Sequence, residues 1–285
     1  MGYEWADNQG PSPTVGFRWF DISESGARLA RVSDCDDCVQ EAVPIGFAFP
    51  FFGRSYDSVH VNSNGTLQFQ DTGHHWGPNE LPTTDLAGPV ILAFWSDWDP
   101  RSSGDVYVER LPAWQDGSGP AFVIQWENVE NYDCDDGNNA TWQTVLLTGG
   151  RVLSQYLDAN VGDFFCNEGA DMTVGVQNLE LSCYVQYSNR TASVPDQTAI
   201  MWSPASCGVE EATATEASLP STPTVTTRAN GSTGVPPTGS GPAERGPDGR
   251  WLLVAAATFV GGIGLVGLGQ GIRAAVRREH PIGHP

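Results

Sequence analysis

The strongest constraint on the fold is a run of short apolar or alternating segments, roughly eleven of them, each closed by a turn signal. Between residues 17 and 202 no stretch repeats apolar residues at helical spacing. Val90-Ile-Leu-Ala-Phe-Trp95 is a continuous apolar run of buried-strand length. Asn62-Ser-Asn-Gly65 separates Ser58-Val-His-Val61 from Leu67-Gln-Phe69, and Asn-Gly takes positive φ readily, so a hairpin is expected there. Thr148-Gly-Gly150 divides residues 141–147 from 151–156 in the same way. Residues 17–22 alternate and are expected to form a strand as well. Short strands joined by turns, without amphipathic helices, imply an all-β chain folded as an antiparallel two-sheet β-sandwich.

Composition then divides the chain. Residues 1–208 carry the strand signals and all six cysteines. Residues 209–250 are mostly Thr, Ser, Pro, Ala, Gly and Glu and read as a disordered stalk, which at about 3.1 Å per residue reaches of order 100 Å. Residues 251–272 are uncharged, and as a helix they would span about 33 Å, enough for a bilayer core. Arg273, Arg277 and Arg278 follow, which puts residues 273–285 in the cytoplasm as a short basic tail and the N-terminal domain outside. The expected location is therefore the cell surface, single-pass. Val235-Pro-Pro-Thr-Gly239 also resembles the Leu-Pro-x-Thr-Gly sorting signal of Gram-positive surface proteins, which implies cell-wall anchoring as the alternative. Residues 1–7 lack the basic start and apolar run of a secretory signal, so the chain is expected to begin within a longer precursor or after a removed signal.

Charge excludes one class of partner. The net charge is −20, and all 14 basic residues are arginine. Nucleic-acid binding needs clustered cations facing phosphate, and none are gathered here. Cys35, Cys38, Cys134, Cys166, Cys183 and Cys207 are even in number and precede the proposed membrane anchor, which points to disulfides in an oxidising compartment. Six cysteines allow 15 pairings; local closure gives Cys35 with Cys38, Cys134 with Cys166 and Cys183 with Cys207. Cys-Asp-Asp-Cys is also the spacing of a redox or zinc pair, but no second pair stands nearby and the stretch reads as a loop.

An ordered set of motifs carries a family resemblance. Phe47-Ala-Phe-Pro-Phe-Phe-Gly53, Tyr56 and Val59-His-Val-Asn-Ser-Asn-Gly65 resemble the start of the nidogen-like domain, found also in the ectodomain of plexin domain-containing proteins. Ala93-Phe-Trp-Ser-Asp-Trp-Asp99, Gly104-Asp-Val-Tyr107 and Phe122-Val-Ile-Gln-Trp-Glu-Asn-Val129 continue the pattern in order. The hairpin of residues 142–156 and Thr173-Val-Gly-Val-Gln-Asn178 complete it, so that the resemblance covers residues 15–204. It implies an extracellular adhesion or recognition module and supplies no catalytic residues. The cysteine-bearing segments depart from the pattern.

Candidate chemistry is confined to a few groups. Three acidic clusters offer the hard oxygens that Ca²⁺ prefers: Asp34, Asp36 and Asp37; Asp97, Asp99 and Asp105; and Asp133, Asp135, Asp136 and Asn138. The third is the expected ligand set, since its oxygens alternate in a loop, although it lacks the distal Glu of an EF-hand. In so acidic a chain, such clusters are also expected as a solvated face. Trp76, Trp98 and Trp114 lie near loops and are candidates for stacking on sugar rings, against the alternative of ordinary packing. Asn64, Asn139, Asn189 and Asn230 begin Asn-x-Ser/Thr sequons and are glycosylation candidates. No Gly-x-Ser-x-Gly elbow or His-Glu-x-x-His site occurs. Asp97 and Asp99 would share one face of a strand, but a glycosidase also needs two carboxyls with divergent pKa values.

The expectation is a non-catalytic adhesion or recognition protein that needs no cofactor beyond a possible Ca²⁺. Its partners would be an extracellular protein or glycan, with the membrane reached through the C-terminal helix. Two alternatives stand beside it: a self-associating envelope or surface-layer component, and a carbohydrate-binding or glycoside-cleaving domain.

Overall fold

A computed structural model describes residues 1–207 apart from 12, 71, 72, 74, 75, 87 and 135–137. The expected stalk, membrane helix and tail therefore lie outside the described residues, as do Val235-Gly239 and Asn230. Among the described residues no helix is long and apolar enough to cross a membrane.

The described chain is all-β, with two antiparallel sheets. The first runs in the order β1 (Gly2–Asp7), β14 (Thr198–Ala205), β11 (Val152–Asp158), β10 (Ala140–Leu147), β9 (Ala121–Asn131), β8 (Asp105–Leu111) and β2 (Ala27–Arg28), and β7 (Trp98–Asp99) also pairs with β9. The second runs β13 (Tyr184–Asn189), β12 (Thr173–Gln177), β6 (Val90–Trp95), β5 (Thr66–Gln68), β4 (Arg54–Asn62) and β3 (Val39–Phe51). Both expected hairpins form: β4 pairs with β5, and β10 with β11.

The period-two pattern decides what lies between the sheets. Inward residues of the first sheet (Trp126, Trp142, Leu146, Tyr156, Trp202) share one core with Phe49, Val61, Ile91, Phe94 and Val176 of the second. Trp126 and Trp142 stack with ring centroids 5.2 Å apart, and Phe94 meets Trp142 edge-on at 5.5 Å. Burying such rings is the dominant favourable term, at roughly 25 cal/mol per Å² of apolar surface. The Tyr156 hydroxyl donates to the Ala93 carbonyl, which ties the sheets by a polar bond inside the core. The cysteines are all paired with near neighbours: Cys35 with Cys38, Cys134 with Cys166 and Cys183 with Cys207. The described strands, their core and the three disulfides lie within residues 1–207, and β1 pairs with β14, so this segment carries a hydrophobic core of its own, as an independently folding domain does.

Residues 17–22 correct the sequence expectation, because they form no strand. They cross the outer face of the first sheet, where Phe17, Phe20 and Ile22 cover Val123, Val145 and Leu153. Strand side chains, rather than a strand backbone, take up the segment's polar groups. The Arg18 amide donates to Gln155 Oε1 and the Arg18 carbonyl accepts from Gln155 Nε2 at 3.0 Å. The Ile22 amide donates to Gln125 Oε1 at 3.1 Å. Gln155→Ala should therefore destabilise residues 1–207 by about 1–2 kcal/mol, because the Arg18 amide loses its acceptor while the Arg18 carbonyl keeps the Gln115 side chain as donor. Urea unfolding checks this, and hydrogen exchange should show new exposure confined to residues 15–22.

Candidate functional site: an acidic end shared by four loops

One end of the sandwich gathers the chain's polar loops, and buried asparagines hold them. The β4–β5 turn is the hub. Asn62 Oδ1 accepts from the Asn64 amide at 2.8 Å, and Gly65 closes the turn at φ +74°. A Cβ at Gly65 would stand 2.4 Å from the Phe94 carbonyl oxygen, so the close approach of β6 requires glycine. Asn64 is fully buried. Its Nδ2 donates to Asp37 at 2.7 Å, and its Oδ1 accepts from the Trp98 amide at 3.0 Å. The Cys35–Cys38 loop is fixed again by Ser63, whose amide donates to the Cys38 carbonyl and whose hydroxyl accepts from the Cys38 amide. The loop after β9 joins through Asn131 Nδ2 to Ser96 at 3.1 Å and through the Tyr132 amide to the Asp97 carbonyl at 2.8 Å. The Cys134–Cys166 disulfide then attaches the loop after β11.

Members of the first two acidic clusters meet at this end. Carboxylate oxygens of Asp36, Asp37 and Asp97 lie within 4.8 Å of one another. Asp99 is 2 % exposed beside them, accepting from the Arg101 and Ser102 amides and from the Arg101 guanidinium at 2.8 Å. Arg101 also reaches Asp36 at 3.2 Å and so offsets part of the charge. Asp34 and Asp105 depart from the expected grouping, because both face Arg28 instead. Asp133 bears on Asp97 only through its charge. The expected Ca²⁺ set of Asp133, Asp135, Asp136 and Asn138 is not assembled among the described residues: Asp135 and Asp136 lie outside them, and Asn138 lines a separate polar pocket of about 310 Å³ with Asn128, Asn139, Asp158, Asn160 and Asp196. The oxygens of Asp36, Asp37 and Asp97 are of the chemistry that fits Ca²⁺.

Burial, followed by the charges of Asp37, Asp36, Asp133 and Asp99, pushes the Asp97 carboxyl up to about 7. The native state therefore holds the Asp97 proton more tightly than the unfolded chain does. The stabilisation this gives is complete below the ordinary carboxylate range and is lost as pH rises through about 7. Stability should fall from pH 5 to pH 8 by about 1–3 kcal/mol, less than a full shift of this size implies because Asp97 is only partly buried. Urea midpoints across this range should flatten in Asp97→Asn, which keeps the shape and removes the titration.

Other candidate side chains are placed differently from expectation. Trp98 is completely buried and Trp114 is 3 % exposed, so neither can stack on a ligand. Trp98 packs against Phe94 and Trp142, and Trp114 lies under residues 15–22. Trp76 is 54 % exposed and remains accessible. Asn64 is corrected as a glycosylation candidate, since its amide nitrogen is buried and bound to Asp37. Asn139 and Asn189 are half-buried and donate to Ser103 and Thr173. Sequence reasoning missed the role of Asn62 and Asn64, because an Asn-rich turn before glycine looks the same whether its amides face water or other loops.

The family model described as NIDO related matches residues 14–233, which takes in every described strand except β1 and the loops of the acidic end. The chain belongs to the NIDO-related family. Alpha-tectorin of Mus musculus is similar at 26% identity over 152 residues, 46% of this chain and 7% of that protein. Alpha-tectorin of Homo sapiens is similar at 25% over 147 residues, 44% of this chain and 7% of the relative. This NIDO-related chain thus spans a small fraction of the relatives it matches. No solved structure matches it. The motifs that resembled a nidogen-like domain fall on β3 to β12 of the NIDO-related fold, and the acidic end grows from the loops between them.

Proposed function

We propose that this NIDO-related protein is a non-catalytic, cell-surface recognition or adhesion protein, held by its C-terminal helix and displaying the acidic end on a stalk. The observation that carries this reading is the construction of that end. Four loops are fixed to one another by buried hydrogen bonds and a disulfide, which gives a rigid, charged surface of the kind a binding module needs. Arg101 holds Asp36 and Asp99, and Asp37 and Asp97 stand close beside Asp36. No arrangement of nucleophile, base and oriented partner stands beside them among the described residues, and catalysis adds nothing to the reading. The partner is an extracellular protein or glycan with cationic or hydroxyl-rich character, and Ca²⁺ bridging is the cofactor chemistry the carboxylates admit. The test is an array of glycans and surface proteins probed with residues 1–207, with Ca²⁺ and again with chelator. Saturable binding to one ligand class is expected. Binding to nothing by the folded, disulfide-bonded domain would overturn the receptor reading.

A further inference from the structure

Beyond the carboxylates of the acidic end, the described surface carries an apolar projection, on the loop after β11 that the disulfide ties to that end, and an apolar recess. Phe164 and Phe165 are 85 % and 76 % exposed, the most exposed large apolar side chains among the described residues. They form a fixed tip. The Phe165 amide donates to Asp163 Oδ1 at 2.8 Å, the Cys166 and Asn167 amides both donate to the Asp163 carbonyl, and Cys166 is tethered to Cys134. The rings meet edge-on at 5.7 Å and belong to none of the hydrophobic clusters of the described residues. A pair of adjacent phenylalanines kept in water costs solubility unless something covers them.

The recess lies along the opposite sheet, where β3 loses register with β4 between Pro44 and Phe49. A groove of about 600 Å³ opens there, walled by Ala42, Pro44, Gly46, Phe47 and Ala48, with Asp57 and Ser58 on its β4 side. Arg110 braces it. Its guanidinium donates to the Pro44 carbonyl at 2.9 Å and lies over the Phe122 ring, leaving an exposed positive charge at the rim.

We propose that the Phe164–Phe165 tip of one molecule enters the β3–β4 groove of a second copy of this chain. Apolar tip meets apolar recess, and Asp163 beside the tip meets Arg110 beside the groove. An anionic membrane fits the tip poorly, because Asp158, Asp163, Glu168 and Asp171 surround it in sequence, whereas the groove of a second copy offers the Arg110 cation at its rim. Tip and groove are different surfaces, so each molecule offers one of each. Such a contact propagates head to tail, or closes as a dimer where each tip reaches the other molecule's groove about a two-fold axis. It goes beyond the recognition reading and does not depend on it: the array reports a foreign ligand, and the experiment below contains only this chain.

Sedimentation velocity of residues 1–207 tests the contact, with Phe164→Ser/Phe165→Ser and Ala48→Arg as variants. All three positions are exposed, and unchanged near-UV circular dichroism checks each fold. The unsubstituted domain should self-associate with rising concentration, to a dimer if the contact is reciprocal and to a series of species if it is not. Each variant alone should be monomeric, its association at least tenfold weaker. An equimolar mixture of the two variants should form a dimer and nothing larger, because only one intact tip and one intact groove remain. A photo-reactive phenylalanine analogue at position 164 reads the contact without any groove variant, and its cross-links should fall on residues 42–58 of another copy. The proposal is overturned if the unsubstituted domain stays monomeric at millimolar concentration, if the tip variant associates unchanged, or if the cross-links map elsewhere. Flotation with neutral lipid vesicles that depends on the two phenylalanines, without self-association, would overturn it in favour of a lipid surface.

Discussion

Asn64→Ala is expected to lower the stability of residues 1–207 by about 3 kcal/mol and to release the Cys35–Cys38 loop from the acidic end. The side chain is fully buried and uses both ends of its amide, one on Asp37 and one on the Trp98 backbone. Truncation leaves the Trp98 amide without its acceptor in a buried place, and Asp37 without its nearest donor beside Asp36 and Asp97. Asn64→Asp should be worse than alanine above pH 7, because it replaces the donor with a fourth carboxylate. Urea unfolding of the two variants at pH 5 and pH 8 separates the terms. A near-neutral Asn64→Ala would mean that the turn stands without its asparagine, and the hub described here would be wrong.

Removing the Cys134–Cys166 disulfide has an expected effect of similar size. The bridge closes a segment with a sequence separation of 32, for which loop entropy gives about 3–4 kcal/mol. Both cysteines are buried, so Cys134→Ala/Cys166→Ala trades the bond for small apolar groups rather than for unpaired polar ones. Two further consequences follow from where the bridge sits. The loop after β9 and the loop after β11 lose their covalent link, and the Phe164–Phe165 tip loses its tether. The variant should therefore unfold at lower urea and also fail to self-associate in its still-folded state. Equal stability with and without the bridge would show that the hydrogen bonds of Asn131 and Asp163 position these loops unaided.

Much of the architecture was legible because strands write their period into the sequence. The run of residues 90–95 became β6, buried throughout, and the two hairpins turned at Gly65 and at Gly149 and Gly150, which take positive φ. Residues 17–22 alternate equally well, yet the alternation reflects contact with a sheet face, and glutamine side chains stand in for a neighbouring strand. The acidic clusters were visible one by one. Their convergence was not, because it depends on which loops share an end of the sandwich, and sequence spacing carries no record of that. Asp135 and Asp136 of the set favoured from spacing lie outside the described residues, and the carboxylates the described fold brings together are those of Asp36, Asp37 and Asp97. Trp98 follows an acidic, loop-like segment, but the pairing of β7 with β9 turns it inward.

The most direct test of the central claim compares the ligand found on the array across variants placed at different surfaces of residues 1–207. Asp36→Asn/Asp97→Asn alters the acidic end, Gln155→Ala alters the outer face of the first sheet, and Phe164→Ser/Phe165→Ser alters the tip. If the acidic end is the recognition surface, the first variant weakens binding at least tenfold and the other two leave it within about twofold, on the expectation that most binding energy resides in a few residues of one patch. Unchanged binding in Asp36→Asn/Asp97→Asn, with loss in either of the others, would contradict the account and place recognition elsewhere on the sandwich.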